Sequence, residues 1–287
     1  MSDLNEPGVL FHYCSTEAML AILQSKKVRL SSVLASNDSL EGKVSRGTLI
    51  EMFMDQVSDP NLVGEFQKLV AEQASLEGLA FCLSERGDVL SQWRGYADDG
   101  RGVAIGFSTN HLRRLSQAVG HTTWFELVEI KYHLHEHREQ VQAIIDGVMK
   151  VVSDGWGKKI GLLSLGGETT YEEHFHQQQV LRQAAATHLR KLLWTTFAAK
   201  PKAFEEEQEW RLLHLMIPDV NFVCEYRASA TRAIPFRTVD LFDVPGIPIV
   251  EVVLGPKHAT QVDEAERMLE GLGYGNVSVK RSIASYR

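Results

Sequence analysis

Val9-Leu10-Phe11-His12-Tyr13-Cys14-Ser15, running on into Thr16-Glu17-Ala18-Met19-Leu20-Ala21-Ile22-Leu23, is the stretch on which the fold turns. Residues 9–14 are an apolar and aromatic run of strand length. Met19, Ile22 and Leu23 then recur at helical spacing, and Ser15 or Thr16 stands where a hydroxyl can accept from the free N–H groups of a first helical turn. A strand feeding a capped helix is expected, with His12 near the strand's end.

Working outward, residues 28–31 read as a second short strand after the basic turn at Lys26 and Lys27, and two polar helices are expected near 40–56 and 61–75. A strand at 78–84, a helix over 88–97 and a strand at 102–107 follow, with Asp98-Asp99-Gly100 as a turn. Residues 124–132 alternate as a strand. From there to about 199 the chain is mostly helical around a glycine-rich stretch at 154–170, which reads as an ordered or gated loop. Beyond Pro201, strands are expected at 209–216, 222–227 and 247–254, then a helix over 259–272 and a strand at 276–279. Strands before and after a helical block make the fold class α+β, with one domain over residues 1–287 and a helical insertion at about 134–200.

The 287 residues carry a formal net charge of -7, with 30 basic and 37 acidic side chains, which leaves no global field for binding nucleic-acid phosphates. Three scattered cysteines, Cys14, Cys82 and Cys224, make neither a disulfide framework nor a close-spaced zinc motif. No basic leader and no run of 18 apolar residues is seen, so a cytoplasmic protein without a membrane partner is expected.

Three groups of residues have the character of a site. His12 in Phe11-His12-Tyr13-Cys14-Ser15 is one; a lone strand histidine is most often a half-buried side chain bonded to a carbonyl. Ser84 at a strand end, followed by Trp93 and Tyr96 three apart on a helix, offers a hydroxyl and an aromatic floor for a flat, positively charged ring. An aromatic pair at that spacing equally suits a core. Glu205-Glu206-Glu207-Gln208-Glu209-Trp210-Arg211 is the third. Glu207, Glu209 and Arg211 alternate at a strand start and so are expected on one face, where carboxylates can stabilise positive charge on a sugar carbon. Arg211 is expected to contact a phosphate or to pair with these glutamates. His133, His135 and His137 alternate as a metal site does, but no partner stands at a familiar ligand spacing.

In order, His12-Tyr13-x-Ser15, Asn37-Asp38-x-x-Glu41, Trp93-x-x-Tyr96-Ala97-Asp98, Gly102-x-x-Ile105-Gly106-Phe107, Glu207-x-Glu209-Trp210-Arg211 and Leu254-Gly255-Pro256 resemble a bacterial domain-of-unknown-function family often met near phage-defence genes. More distantly, the opening, the strand ending in Ser84 and Glu207-x-Glu209 resemble ADP-ribosyltransferases of the poly(ADP-ribose) polymerase and diphtheria-toxin type. Tyr13 stands where the polymerases have glycine.

The distant resemblance implies a split mixed sheet flanked by helices and NAD as substrate. It implies that His12 holds the adenosine-side ribose, that Tyr13 and Ser15 present backbone and hydroxyl groups, and that Ser84 orients nicotinamide. Trp93 or Tyr96 would stack on that ring, Glu209 would be catalytic, and Glu207 would polarise the acceptor. The implied activity is ADP-ribosyl transfer or NAD hydrolysis by a toxin or phage-defence effector, the acceptor being a protein, a nucleic acid, a small molecule or water. A nucleotide-binding sensor and an NAD-using RNA 2'-phosphotransferase are the alternatives of the same fold.

Overall fold

The computed structural model describes residues 6–33, 43–74, 78–118, 125–132, 134–158, 171–216, 224–229 and 232–285. Asn37-Asp38-x-x-Glu41, His133 and the glycine-rich stretch from 159 onward lie outside them.

The opening forms β1 (Val9–Cys14) and α1 (Thr16–Ser25). Ser15 caps that helix, its Oγ accepting from Ala18 N at 3.2 Å. There follow β2 (Lys27–Ser32), α2 (Lys43–Met54), α3 (Pro60–Ala74) and β3 (Gly78–Ser84). Next come α4 (Leu90–Tyr96), β4 (Val103–Ser108), α5 (Thr109–Ala118) and β5 (Phe125–Glu129). The insertion supplies α6 (Leu134–Ser153) and α7 (Tyr171–Phe197), and the chain returns through β6 (Glu209–Leu215) and β7 (Glu225–Ala228). It closes with β8 (Ala233–Asp240), β9 (Ile249–Leu254), α8 (Val262–Gly271) and β10 (Ser278–Arg281). The protein is thus mixed α+β, and its sheet is antiparallel at every pairing except β9 with β10.

Sequence reading omits two elements, α5 and β8. Pro235 accounts for the second, because proline lacks the ladder N–H and argues against a strand. It is accommodated just beyond the β2 pairing, which ends at Ser31 opposite Phe236.

The sheet forks at β3. One edge of β3 pairs with β6 from Gly78–Leu215 to Ser84–Glu209. The other meets β1 only at Phe11–Ser84 and β2 only at Ser31–Ala80 and Ser32–Leu79. β1 then follows β4, and β2 follows β8, so the two diverge from the middle of β3. Alternate residues send Leu10, Phe81, Leu83, Ile105 and Leu212 into the main core beneath Met19 of α1, Leu112 of α5 and Leu269 of α8. On the opposite face, Tyr13, Trp93 and Ala104 make one small cluster and Ala80, Phe197 and Leu213 another.

α2, α3, α6 and α7 build a separate core in which Phe53 and Phe66 stack with centroids 3.8 Å apart. Each such ring contributes about 1.5 to 3 kcal/mol by burial. The stalks of the insertion are stitched together where Lys131 N donates to Ala198 O at 2.8 Å and Lys200 N to Lys131 O at 3.0 Å. No described helix is long and apolar enough to cross a membrane.

The glycines of two motifs are structural. A Cβ on Gly102 would stand 2.2 Å from Cys14 O, and one on Gly255 would stand 2.4 Å from Gly100 O. Only glycine lets the turn after α4, the end of β1 and the end of β9 approach so closely.

Candidate functional site

A cavity of about 520 Å³, including its mouth, opens where β1 parts from β3, between α4 and the end of the insertion. His12, Tyr96, Glu207 and Glu209 line it, although His12 and Glu209 stand nearly 200 positions apart in sequence.

His12 fills the fork. Its Nδ1 lies 2.8 Å from Cys82 O, a carbonyl of β3 between the short β1 and β2 pairings. A carbonyl only accepts, so Nδ1 carries the proton and Nε2 is left as an acceptor. Desolvation outweighs that hydrogen bond and lowers the pKa of His12 to about 4. The ring is therefore neutral at physiological pH, tilted on Phe81 with centroids 4.2 Å apart.

The carboxylates face two cations. Arg211 donates from Nε to Glu209 Oε1 at 2.7 Å and from Nη2 to Oε2 at 3.1 Å, and its Nη1 reaches Phe197 O at 2.9 Å. With 2% of its surface exposed, Arg211 is a buried partner of Glu209, the second of the two roles its sequence position suggested. Lys200 Nζ bridges Glu207 Oε2 at 2.6 Å and Glu209 Oε2 at 3.1 Å. Burial alone would push the Glu209 carboxyl up, but Arg211, Lys200 and a hydrogen bond from the Cys82 thiol together hold it at about 2. Burial likewise opposes the charge on Lys200, and the two carboxylates overcome it and raise its pKa. Two fixed anions and two fixed cations leave this network neutral in sum.

Glu207 is not on the strand. It ends a 3-10 turn at Lys202–Glu207, and Gln208 takes the left-handed region at φ 41° before β6 begins. Ser84 makes this possible, donating from Oγ to Glu207 O at 2.7 Å. Tyr96 OH donates to Glu207 Oε1 at 3.2 Å. Each Glu207 oxygen thus accepts one bond from these residues and keeps capacity for another.

Of the remaining sequence candidates, Tyr13 borders the cavity but commits its hydroxyl elsewhere, donating to Arg86 O at 2.7 Å and accepting from Val89 N at 3.0 Å. Ser15 is the α1 cap, and buried Ser84 supports the Glu207 turn from behind. Trp93 corrects the expected aromatic face. It is fully buried, edge-on to Tyr13 at 4.8 Å, with its indole N–H on Asp88 Oδ1 at 2.7 Å. Gln92, four positions before Tyr96, shares the cavity face instead, because i and i+4 lie closer around a helix than i and i+3.

Sequence reading missed Gln92, Lys200, Cys82 and Tyr132. Spacing from Tyr96 would have found Gln92. Cys82 alternates with Ser84 on β3, so the strand pattern held that signal too. Lys200 and Tyr132, whose hydroxyl accepts from Glu209 N at 2.8 Å, flank the two ends of the insertion and meet only because those ends are stitched together.

The sheet is forked and mostly antiparallel, and an ion-paired cavity lies in the fork. Within the chain, residues 92–212 match the family described as "Protein of unknown function (DUF2971)". The match covers less than half of the chain, including Gln92, Tyr96, Lys200, Glu207 and Glu209 but not His12. No curated protein and no solved structure matches.

Proposed function

We propose that the cavity binds NAD and breaks its nicotinamide–ribose bond, passing ADP-ribose to an acceptor nucleophile or to water. The observation that carries this reading is the meeting of His12, Tyr96, Glu207 and Glu209 in one cavity. His12 Nε2, fixed as an acceptor, suits a ribose hydroxyl, which donates. The half-exposed ring of Tyr96 suits a cationic pyridinium.

As the bond breaks, its electron pair leaves with the nicotinamide nitrogen and positive charge develops on the ribose. Two ionised carboxylates face that charge. Glu209, paired on both oxygens, is held ionised and anchors Lys200 beside Glu207. Glu207 has unfilled positions and holds a ribose hydroxyl or takes the proton of the attacking nucleophile. The heavy ion pairing of Glu209 favours one second reading, a sensor that binds the nucleotide without cleaving it.

Nicotinamide release from NAD by the purified protein decides between them. Release that falls about a hundredfold to a thousandfold in Glu207→Gln, and that also falls in Glu209→Gln, supports cleavage. NAD binding without release, with protein, nucleic acid and cell extract offered as acceptors, selects the sensor. Absence of both binding and release overturns the NAD reading.

A further inference from the structure

We propose that Gln92 recognises the carboxamide of the bound ligand through a reciprocal amide pair, and so distinguishes an amide from the corresponding acid. The inference deepens the NAD reading and rests on it.

Gln92 projects from α4 into the cavity wall with only 6% of its surface exposed. Its side chain makes no hydrogen bond to any described residue. The polar groups around it do: Trp93 to Asp88, Tyr96 to Glu207, Tyr13 to Arg86, and His12 to Cys82. The Gln92 amide atoms still reach the solvent of the cavity. A ligand that fills the cavity displaces that solvent, leaving the amide unpaired at a free-energy cost that a leucine of similar size would not incur. A ligand that presents the complementary edge removes that cost.

The chemistry of the edge follows from the amide itself. Gln92 offers N–H donors and a carbonyl acceptor side by side, so its full complement is another donor–acceptor pair, as on a primary carboxamide. A carboxylate only accepts. It would leave the Gln92 carbonyl unpaired. Phe11, Tyr13 and Leu83 line the same cavity and give an aromatic ring carrying that amide an apolar wall. On α4, Gln92 stands one turn before Tyr96, so one short helix presents both the amide partner and the ring partner.

Calorimetric titration of the full chain with NAD and with nicotinic acid adenine dinucleotide, its deamidated analogue, tests the pairing. Wild type is expected to bind NAD about tenfold to a hundredfold more tightly than the acid, the range for a buried polar group left unpaired. Gln92→Leu is expected to bring the two affinities to within about threefold, mainly by weakening NAD. Gln92→Glu, which keeps size and shape, is expected to bind the acid worst of all. Because wild type alone yields the amide-to-acid ratio, the test holds if a variant fails to fold. NAD binding with no preference in wild type, or with the preference intact in Gln92→Leu, overturns the role of Gln92 while the NAD reading stands. Failure of wild type to bind either dinucleotide overturns both.

Discussion

Arg211 and Glu209 stand two apart on β6 and meet fork to fork beneath the cavity, Nε to Oε1 at 2.7 Å and Nη2 to Oε2 at 3.1 Å. Both side chains are almost wholly buried, so neither charge has water as an alternative partner. Arg211→Met would leave Glu209 with Lys200 as its main counter-charge. Breaking a buried pair from one side costs about 3 to 5 kcal/mol. Urea unfolding at neutral pH should show a loss of that size at unchanged slope; a loss below about 1 kcal/mol would mean the pair is solvated.

His12 and Glu209 set the acid limb of stability in sequence. Unfolded, His12 takes a proton near its usual 6.5, whereas folded it resists down to about 4, so its contribution erodes the fold as pH falls between those values. Glu209 gives up its proton more readily folded than unfolded. Its stabilisation is full above about 4.5 and lost as pH drops toward about 2. Unfolding free energies measured from pH 7 to 3 should fall in two overlapping stages, with His12→Gln flattening the upper and Glu209→Gln the lower. An imidazole signal of His12 titrating near 6.5 in the native protein would contradict the first stage.

Lys200 is the shared counter-ion of two carboxylates and comes from the far end of the insertion. In Lys200→Met, Glu207 loses its ion pair and Glu209 keeps Arg211 as its counter-charge. One of the two should then take up a proton at higher pH, because neighbouring like charges resist joint ionisation. Carbon-13 labelling of the glutamate carboxyls should show one titration moving toward neutrality, with Lys200→Arg restoring it. A carboxyl titration unchanged by the loss of Lys200 would remove its positioning role.

Cys82 gives the cavity a chemical reporter. It is exposed and lines the cavity, whereas Cys14 is buried and burial pushes its thiol up to about 12. Only thiolates alkylate at useful rates. Iodoacetamide followed by peptide mass spectrometry should mark Cys82 well ahead of Cys14, and saturating NAD should slow the reaction at Cys82 about tenfold, as expected for a site occupied about nine-tenths of the time. Preferential labelling of Cys14, or no protection by NAD, would count against the cavity as the binding site.

Much of the secondary structure was legible because apolar spacing and caps act over short range. Val9–Cys14, Gly78–Ser84 and the Ser15 cap follow from periods of 2 and 3.6 and from one hydroxyl. β8 was not legible, since its place in the sheet depends on β2 and β7 accepting a strand that contains Pro235. Arg211 was legible as a partner of glutamate, because an i, i+2 pair on a strand needs no distant residue. Of the two aromatics of α4, Tyr96 lines the cavity and Trp93 takes the core position that their spacing equally allowed, while Gln92 joins Tyr96 on the cavity face. The face that α4 turns to the cavity is set by Tyr13 and Asp88, which hold Trp93 in the small cluster behind it.

By itself, the sequence determined the α+β class, the strand-to-helix opening and the candidate carboxylates, all products of local pattern and side-chain chemistry. Only the tertiary structure decided that β1 and β2 leave β3 in opposite directions, that His12 plugs the opening they make, and that Lys200 arrives there from the insertion. Those facts depend on strand pairing and chain return across more than a hundred residues. The free energy that selects them comes from cores and ion pairs formed between segments that carry no mark of one another in sequence.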